Sequence, residues 1–155
     1  MIRTRFLLLT LLILPVSSCD PLMVYDEYMN TKDGEWRWND VGVFQVELTD
    51  TISLYNVYLQ VRHTVDYPMS NLYMFVLLKS PSGQFVRDTV NMILAAPDGQ
   101  WIGKGTGRFR ELRLLYGKQI RFSEQGIYTI SLEQAMRKSE LPVTNVGVRV
   151  ERIKP

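Results

Sequence analysis

Apolar residues recur at every second position through most of this chain, and a period of two admits few architectures other than sheets. Phe44, Val46 and Leu48 alternate with Gln45 and Glu47; Tyr55, Val57, Leu59 and Val61 alternate with Asn56, Gln60 and Arg62; Val146, Val148 and Val150 alternate with Gly147, Arg149 and Glu151. Each pattern sends one set of side chains to a core and the other towards solvent. Val24 to Tyr28 reads as a first edge strand after which Asp33-Gly34 signals a turn, and the spacing of Trp36 and Trp38 predicts both indoles on one strand face. Leu72 to Leu78 is apolar at both phases, which predicts a central strand covered on both sides. Pro81-Ser82-Gly83 then turns the chain into Phe85 to Leu94, where Val86, Val90, Met92 and Leu94 share a face around Asp88, as in a hairpin.

Strand patterns resume at Leu112, Leu114 and Tyr116, at Ile120 and Phe122, and at Tyr128, Ile130 and Leu132. Tyr128 stands where Greek-key sandwiches place a corner tyrosine, whose phenol bonds to nearby backbone. Only Glu133 to Lys138 reads as a helical turn, and Pro142 bars its continuation. About eight or nine short strands with turn signals between them predict an all-β chain, a single β-sandwich of the Ig-like or jelly-roll type. A transmembrane barrel would need one phase apolar throughout, whereas the polar phases carry Glu47, Gln60, Arg62 and Arg149.

The front of the chain is an address and not a fold element. Arg3 and Arg5 precede the apolar run Phe6 to Val16, then Ser17, Ser18 and Cys19. Two cations, an apolar segment and small residues form a secretory signal peptide; the run of about 11 residues is short of the ~20 that span a bilayer. The order Val16-Ser17-Ser18-Cys19 resembles a bacterial lipobox. That resemblance implies cleavage before Cys19, a diacylglyceryl thioether on its sulfur and an acyl chain such as palmitate on its new amine. Two or more chains anchor stably where one binds marginally. The expected division is therefore a signal peptide over 1–18, a tether over 19–23 that lets the domain stand off the lipid, and the sandwich over 24–155.

Removing 18 of the 155 residues leaves 137, one domain's worth. It also removes Arg3 and Arg5, so 16 bases face 16 acids in the mature chain. A neutral domain is not a nucleic-acid binder by charge. Cys19 is the single cysteine, so no intramolecular disulfide can form and packing must supply the stability.

Catalytic patterns are sparse. One histidine, His63, falls in an inward strand phase and is expected to bond to backbone or to Asp66. A zinc site needs three or four ligands, and no metal or other cofactor is expected beyond the covalent lipid on Cys19. Gly99-Gln100-Trp101-Ile102-Gly103-Lys104-Gly105 misses a phosphate loop by one residue between the glycines and by the missing Ser or Thr after the lysine. Asp66, Asp88, Asp98 and Glu111 could serve a glycosidase only at a defined separation. The segment Ala95 to Arg110, with its four glycines around Trp101 and Lys104, is the longest irregular stretch, and long loops in compact domains tend to be functional. Trp101 and Lys104 are thus candidate partner-binding residues, with Trp36 and Trp38 as further indoles that could meet a protein or stack on a sugar.

Several segments, taken in order, carry a wider likeness: Val24-Tyr25-Asp26-Glu27-Tyr28; Tyr55-Asn56 through Arg62 into Asp66-Tyr67-Pro68 and Ser70-Asn71-Leu72; Ala96-Pro97-Asp98-Gly99 with Trp101, Gly103, Lys104 and Gly105; Arg121-Phe122 with Gly126-Ile127-Tyr128; Gln134-Ala135-Met136-Arg137; and Val146-Gly147-Val148-Arg149. In these the chain resembles the gliding motility lipoprotein family GldH of the Bacteroidetes. It departs from that pattern at Ser123-Glu124-Gln125, where similar chains often carry proline. The resemblance implies an outer-envelope lipoprotein that supports the gliding machinery and its associated protein-secretion system, without an enzymatic role or small-molecule substrate. Its implied partners are the membrane, through the anchor, and other envelope motility or secretion proteins. The lone Asp20 after Cys19 favours an outer-membrane position facing the periplasm. The alternative is a lipoprotein that binds carbohydrate or peptidoglycan.

Overall fold

The computed structural model describes residues 20–153; the signal peptide expected over 1–18 and Cys19 lie outside them. Eight long strands and two short ones follow one another: β1 (Met23–Asn30), β2 (Trp36–Arg37), β3 (Gly42–Leu48), β4 (Tyr55–Thr64), β5 (Asn71–Lys79), β6 (Phe85–Ile93), β7 (Phe109–Ile120), β8 (Gly126–Gln134), β9 (Glu140–Leu141) and β10 (Val143–Arg152). They form two four-stranded sheets, ordered β1-β10-β4-β7 and β3-β8-β5-β6, and a small β2-β9 pair, with antiparallel pairing throughout. The all-β sandwich read from the alternation is the fold observed.

The inward phases meet between the sheets. Val57, Leu59, Val61, Val146, Val148 and Val150 come from one sheet, and Phe44, Val46, Leu48, Leu72, Met74, Val76, Ile130 and Leu132 from the other; all are buried. Tyr55, Phe122 and Tyr128 close one end, with ring centroids 5.6 and 4.7 Å apart in succession. The Tyr128 phenol oxygen accepts from the Glu124 backbone N–H at 3.1 Å, as the corner reading expected.

Four expectations need correction. Glu133 to Lys138 is not helical: β8 runs on to Gln134, whose buried carboxamide donates to Lys138 O at 2.8 Å and accepts from Met136 N–H at 3.0 Å. That side chain thus organises the bends that an i→i−4 ladder would otherwise have to close. Trp36 and Trp38 share no strand face, because β2 ends at Arg37 and the chain turns. Trp36 enters the core with its N–H on Asp40 O (2.7 Å), and Trp38 stays 53% exposed with its N–H on Met136 O (2.8 Å). In β5 the phase of Leu72, Met74 and Val76 is buried, but Tyr73, Phe75 and Leu77 lie on an outer face that no third layer covers among the described residues.

Nor do residues 20–23 behave as a stand-off tether. Met23 opens β1, Leu22 O accepts from Arg152 N–H at 2.7 Å, and Asp20 is ion-paired to Arg149.

Candidate functional site

The outward phase of the sheet β1-β10-β4-β7 brings together side chains far apart in sequence, because neighbouring strands come from opposite ends of the chain. At its centre Arg149 on β10 is only 9% exposed. Its guanidinium donates to Glu151 from Nε and to Asp26 from Nη1, each at 2.5 Å, and to Asp20 from Nη2. Burial works to lower its pKa, but the bonds to Glu151 and Asp26 prevail and push it above the usual arginine range.

Gln60 on β4 is 1% exposed beside it. Its carboxamide is satisfied with the nitrogen donating to Asp26 (3.1 Å) and the oxygen accepting from Arg113 Nε (3.3 Å), the orientation its partners require. Over Gly147 and Gln60 lies Tyr28 of β1, whose hydroxyl donates at 3.0 Å to Glu111 on β7, at the opposite edge of the sheet. Glycine at position 147 is what lets that ring lie flat: a Cβ there would stand 2.6 Å from Glu27 O and 2.8 Å from Tyr28 Cδ1. Burial, then the bond to Glu111 and its charge, pushes the Tyr28 phenol up. Glu111 is also held by Arg62, through Nη2 at 2.7 Å and Nε at 3.2 Å, and this bond holds its carboxyl below the usual range.

The network ends at a cleft of about 530 Å³ lined by Asn30, Arg62, Lys104, Thr106, Glu111 and Asn145, among others. Its wall is the glycine-rich loop. Lys104 pairs with Glu111 as an extra rung on the β7 edge, with N–H to O distances of 2.9 and 2.7 Å. The loop can approach so closely because Gly105 carries no Cβ; one there would fall 2.3 Å from Phe109 O. The Lys104 side chain is exposed at the rim. Arg62 is engaged by Glu111, so Lys104 is the cation this cleft presents, beside hydroxyls and amides, to a carboxylate or an acidic peptide segment.

The other candidates lie elsewhere. Trp101 is half-buried, its ring centroid 4.6 Å from that of His63, so it closes over the core and presents only part of its ring. His63 is fully buried, as its inward phase required, with Nδ1 2.9 Å from Thr64 O and Nε2 without a partner among the described residues. Burial lowers its pKa, and the neutral tautomer that donates from Nδ1 fits this contact. Trp36 has no exposed surface and cannot meet a sugar or a protein. Trp38 donates to the carbonyl of Met136, which with Met69 and Tyr73 lines an apolar groove of about 340 Å³.

The carboxylates weighed for catalysis are dispersed and engaged: Asp66 with Arg108 (2.6 Å), Asp98 with the Gln100 N–H (3.0 Å), Glu111 with Arg62. Among the described residues no three His, Cys, Asp or Glu side chains are grouped to hold a metal ion. The sequence reading missed Tyr28, Gln60, Asp26 and Arg149 as one constellation. Opposite charges at the outward phases of several strands were the available signal, but strand order was needed to join them.

Residues 23–150, from the start of β1 nearly to the end of β10, match the profile of the family described as GldH lipoprotein. A protein of Christiangramia forsetii named gliding motility lipoprotein GldH homolog is 35% identical over 144 residues, covering 88% of each chain. The gliding motility lipoprotein GldH of Flavobacterium johnsoniae is 32% identical over 143 residues, covering 87% of this chain and 88% of that one.

Proposed function

The chain belongs to the GldH lipoprotein family, a membrane-anchored lipoprotein of the cell envelope associated with gliding motility, and we propose that it is a non-enzymatic assembly component of the motility and associated secretion machinery. It is held by acyl chains on Cys19 at the outer membrane, faces the periplasm, and works by gripping neighbouring envelope proteins. The observation that supports this is the outer face of β1-β10-β4-β7. Arg149 is fixed by Asp20, Asp26 and Glu151, and Glu111 by Arg62 and Tyr28. Charges immobilised this way hold a fixed pattern for a partner to read, which favours orientation and specificity. Glu111 also makes a poor proton carrier, since the Arg62 bond holds its carboxyl below the usual range. The cleft beside Lys104 is the contact point of that face.

Photo-cross-linking from positions 104 and 106 in intact envelopes tests the reading. Recovery of a motility or secretion component, weakened by Lys104→Glu, is the expected result. The proposal fails if neither position captures such a component and the Lys104→Glu strain moves and secretes as its parent does. Glycan binding retains the half-exposed Trp38 as its platform. Unchanged retention of Trp38→Ala on peptidoglycan dismisses it.

A further inference from the structure

Lipid on Cys19 would sit one residue before Asp20, and Asp20 is locked down. It pairs with Arg149, its Oδ1 accepts from Leu22 N–H at 3.2 Å, and its carbonyl accepts from Met23 N–H at 3.2 Å. Asp20 stands at the end of the sandwich where β1 begins and β10 finishes, and with successive Cα atoms about 3.8 Å apart a lipid one residue earlier would meet the bilayer at that end. Antiparallel topology brings three connections to that same end: 49–54 between β3 and β4, the 80–84 hairpin turn, and 121–125 between β7 and β8.

This end is apolar at its surface and carries charges of both signs. Ile52 is 81% exposed and Phe85 73%, with Val86, Ile127 and Met23 also exposed. Lys79, Lys118, Arg121 and Arg152 are exposed around them. Two of the acids here are turn residues, Asp50 accepting from the Ser53 hydroxyl at 2.5 Å and from Ile52 N–H at 2.8 Å, and Glu124 from Ser82 N–H (3.0 Å) and its hydroxyl (2.9 Å), while Glu47 is exposed opposite Ile127. The same bonds fix the two turns that carry Ile52 and Phe85.

We infer that this end is a second, non-covalent membrane contact whose occupant is the lipid surface itself, with Ile52, Phe85 and Val86 in the headgroup region and Lys79, Lys118 and Arg121 on lipid phosphates. The inference rests on acylation of Cys19. Lipid is the occupant because the chain leaves no slack: no free residue separates Asp20 from the fold, and the far edge β7 is three strand spacings of about 4.8 Å from β1. Exposed apolar side chains on fixed turns, with long basic side chains within reach of the headgroups, are a composition that seats at a bilayer interface. The stand-off expected of residues 19–23 is then supplied by the strands. β1 has eight residues, and at about 3.3 Å each it carries Asn30 and the Lys104 cleft to the end away from the bilayer.

The test uses the full acylated chain in vesicles of phosphatidylethanolamine and phosphatidylglycerol. Cys19 is the single cysteine, so acylation leaves Ile52→Cys, Phe85→Cys or the opposite-end control Val65→Cys as the one free thiol for a fluorophore. Doxyl-labelled lipid should quench positions 52 and 85 about threefold more than 65, and adding Ile127→Asp and Val86→Asp should reduce that difference. Equal quenching at all three positions overturns the inference. So does shielding of 52 and 85 from aqueous iodide without quenching by lipid, since a protein would then cover them. Mass spectrometry of the same samples separates these outcomes from loss of the anchor: an unmodified Cys19 removes the premise, whereas equal quenching on acylated protein removes only the seat.

Discussion

The two outer faces of the sandwich solve opposite problems with the same strand geometry. On β1-β10-β4-β7 the outward residues are long and charged and are tied to one another across all four strands, so that even Gln60 and Arg149, nominally on the surface, are buried. On β3-β8-β5-β6 the outward residues include Val43, Tyr73 and Ile127, each exposed, and the side-chain links are few: Arg87 lies 4.1 Å above the Phe75 ring and 3.4 Å from Glu133, and Asn71 donates to Asn91 at 2.8 Å. The first face is part of the fold's stability; the second is nearly independent of it. Outward phase in a sequence pattern therefore does not mean solvated.

Arg149→Met should separate the faces most sharply. Asp20, Asp26 and Glu151 lose their shared cation, and removing one partner of a largely buried ionic cluster costs about 3 kcal/mol or more. A lower urea midpoint at unchanged slope is the expected result. Adding Asp26→Asn and Glu151→Gln should restore part of the loss, because the repulsion left behind is the larger share. Gly147→Ala comes next, at about 2 kcal/mol from overpacking. Its Cβ meets a backbone carbonyl at 2.6 Å, which cannot swing aside as a side chain could.

Why the sandwich was legible and this network was not follows from range. Alternation such as Val146, Val148 and Val150 is encoded within a few residues, and so was the Tyr128 corner, whose bond spans four positions. The link from Arg149 to Asp26 spans 123 positions and that from Tyr28 to Glu111 spans 83. Both depend on β1 and β10 joining the edge of β4, an order that composition does not reveal. Trp36 and Trp38 failed for a local reason, a two-residue strand ending between them, and Glu133 to Lys138 failed because the Gln134 side chain replaced a backbone ladder.

Acid should sharpen the comparison further. The Arg62 bond lowers the pKa of Glu111 in the folded state, so its contribution is fully present above the unfolded value of about 4.5 and is lost as pH falls through the folded value. Stability measured below pH 5 should fall less steeply in Glu111→Gln than in the parent. Tyr28→Phe removes the hydroxyl that reaches Glu111; about 1 kcal/mol is expected for one hydrogen bond to a charged group at a partly exposed site.

The smallest effects belong to the open face. Val43→Thr and Tyr73→Ser each alter an exposed side chain on β3 or β5 without touching the buried phase of Phe44, Leu72 or Met74. Surface changes of this kind stay within about 0.5 kcal/mol, so the urea midpoint of the isolated protein should hardly move. A loss of more than about 1 kcal/mol, well outside that surface range, would mean that these side chains support the fold and that the two faces are not as different as their exposure indicates. With the midpoint unmoved, a motility or secretion defect from the same substitutions cannot come from misfolding. It has to come from something that touches this face in the envelope, which makes the least destabilising variants the cleanest probes of contact.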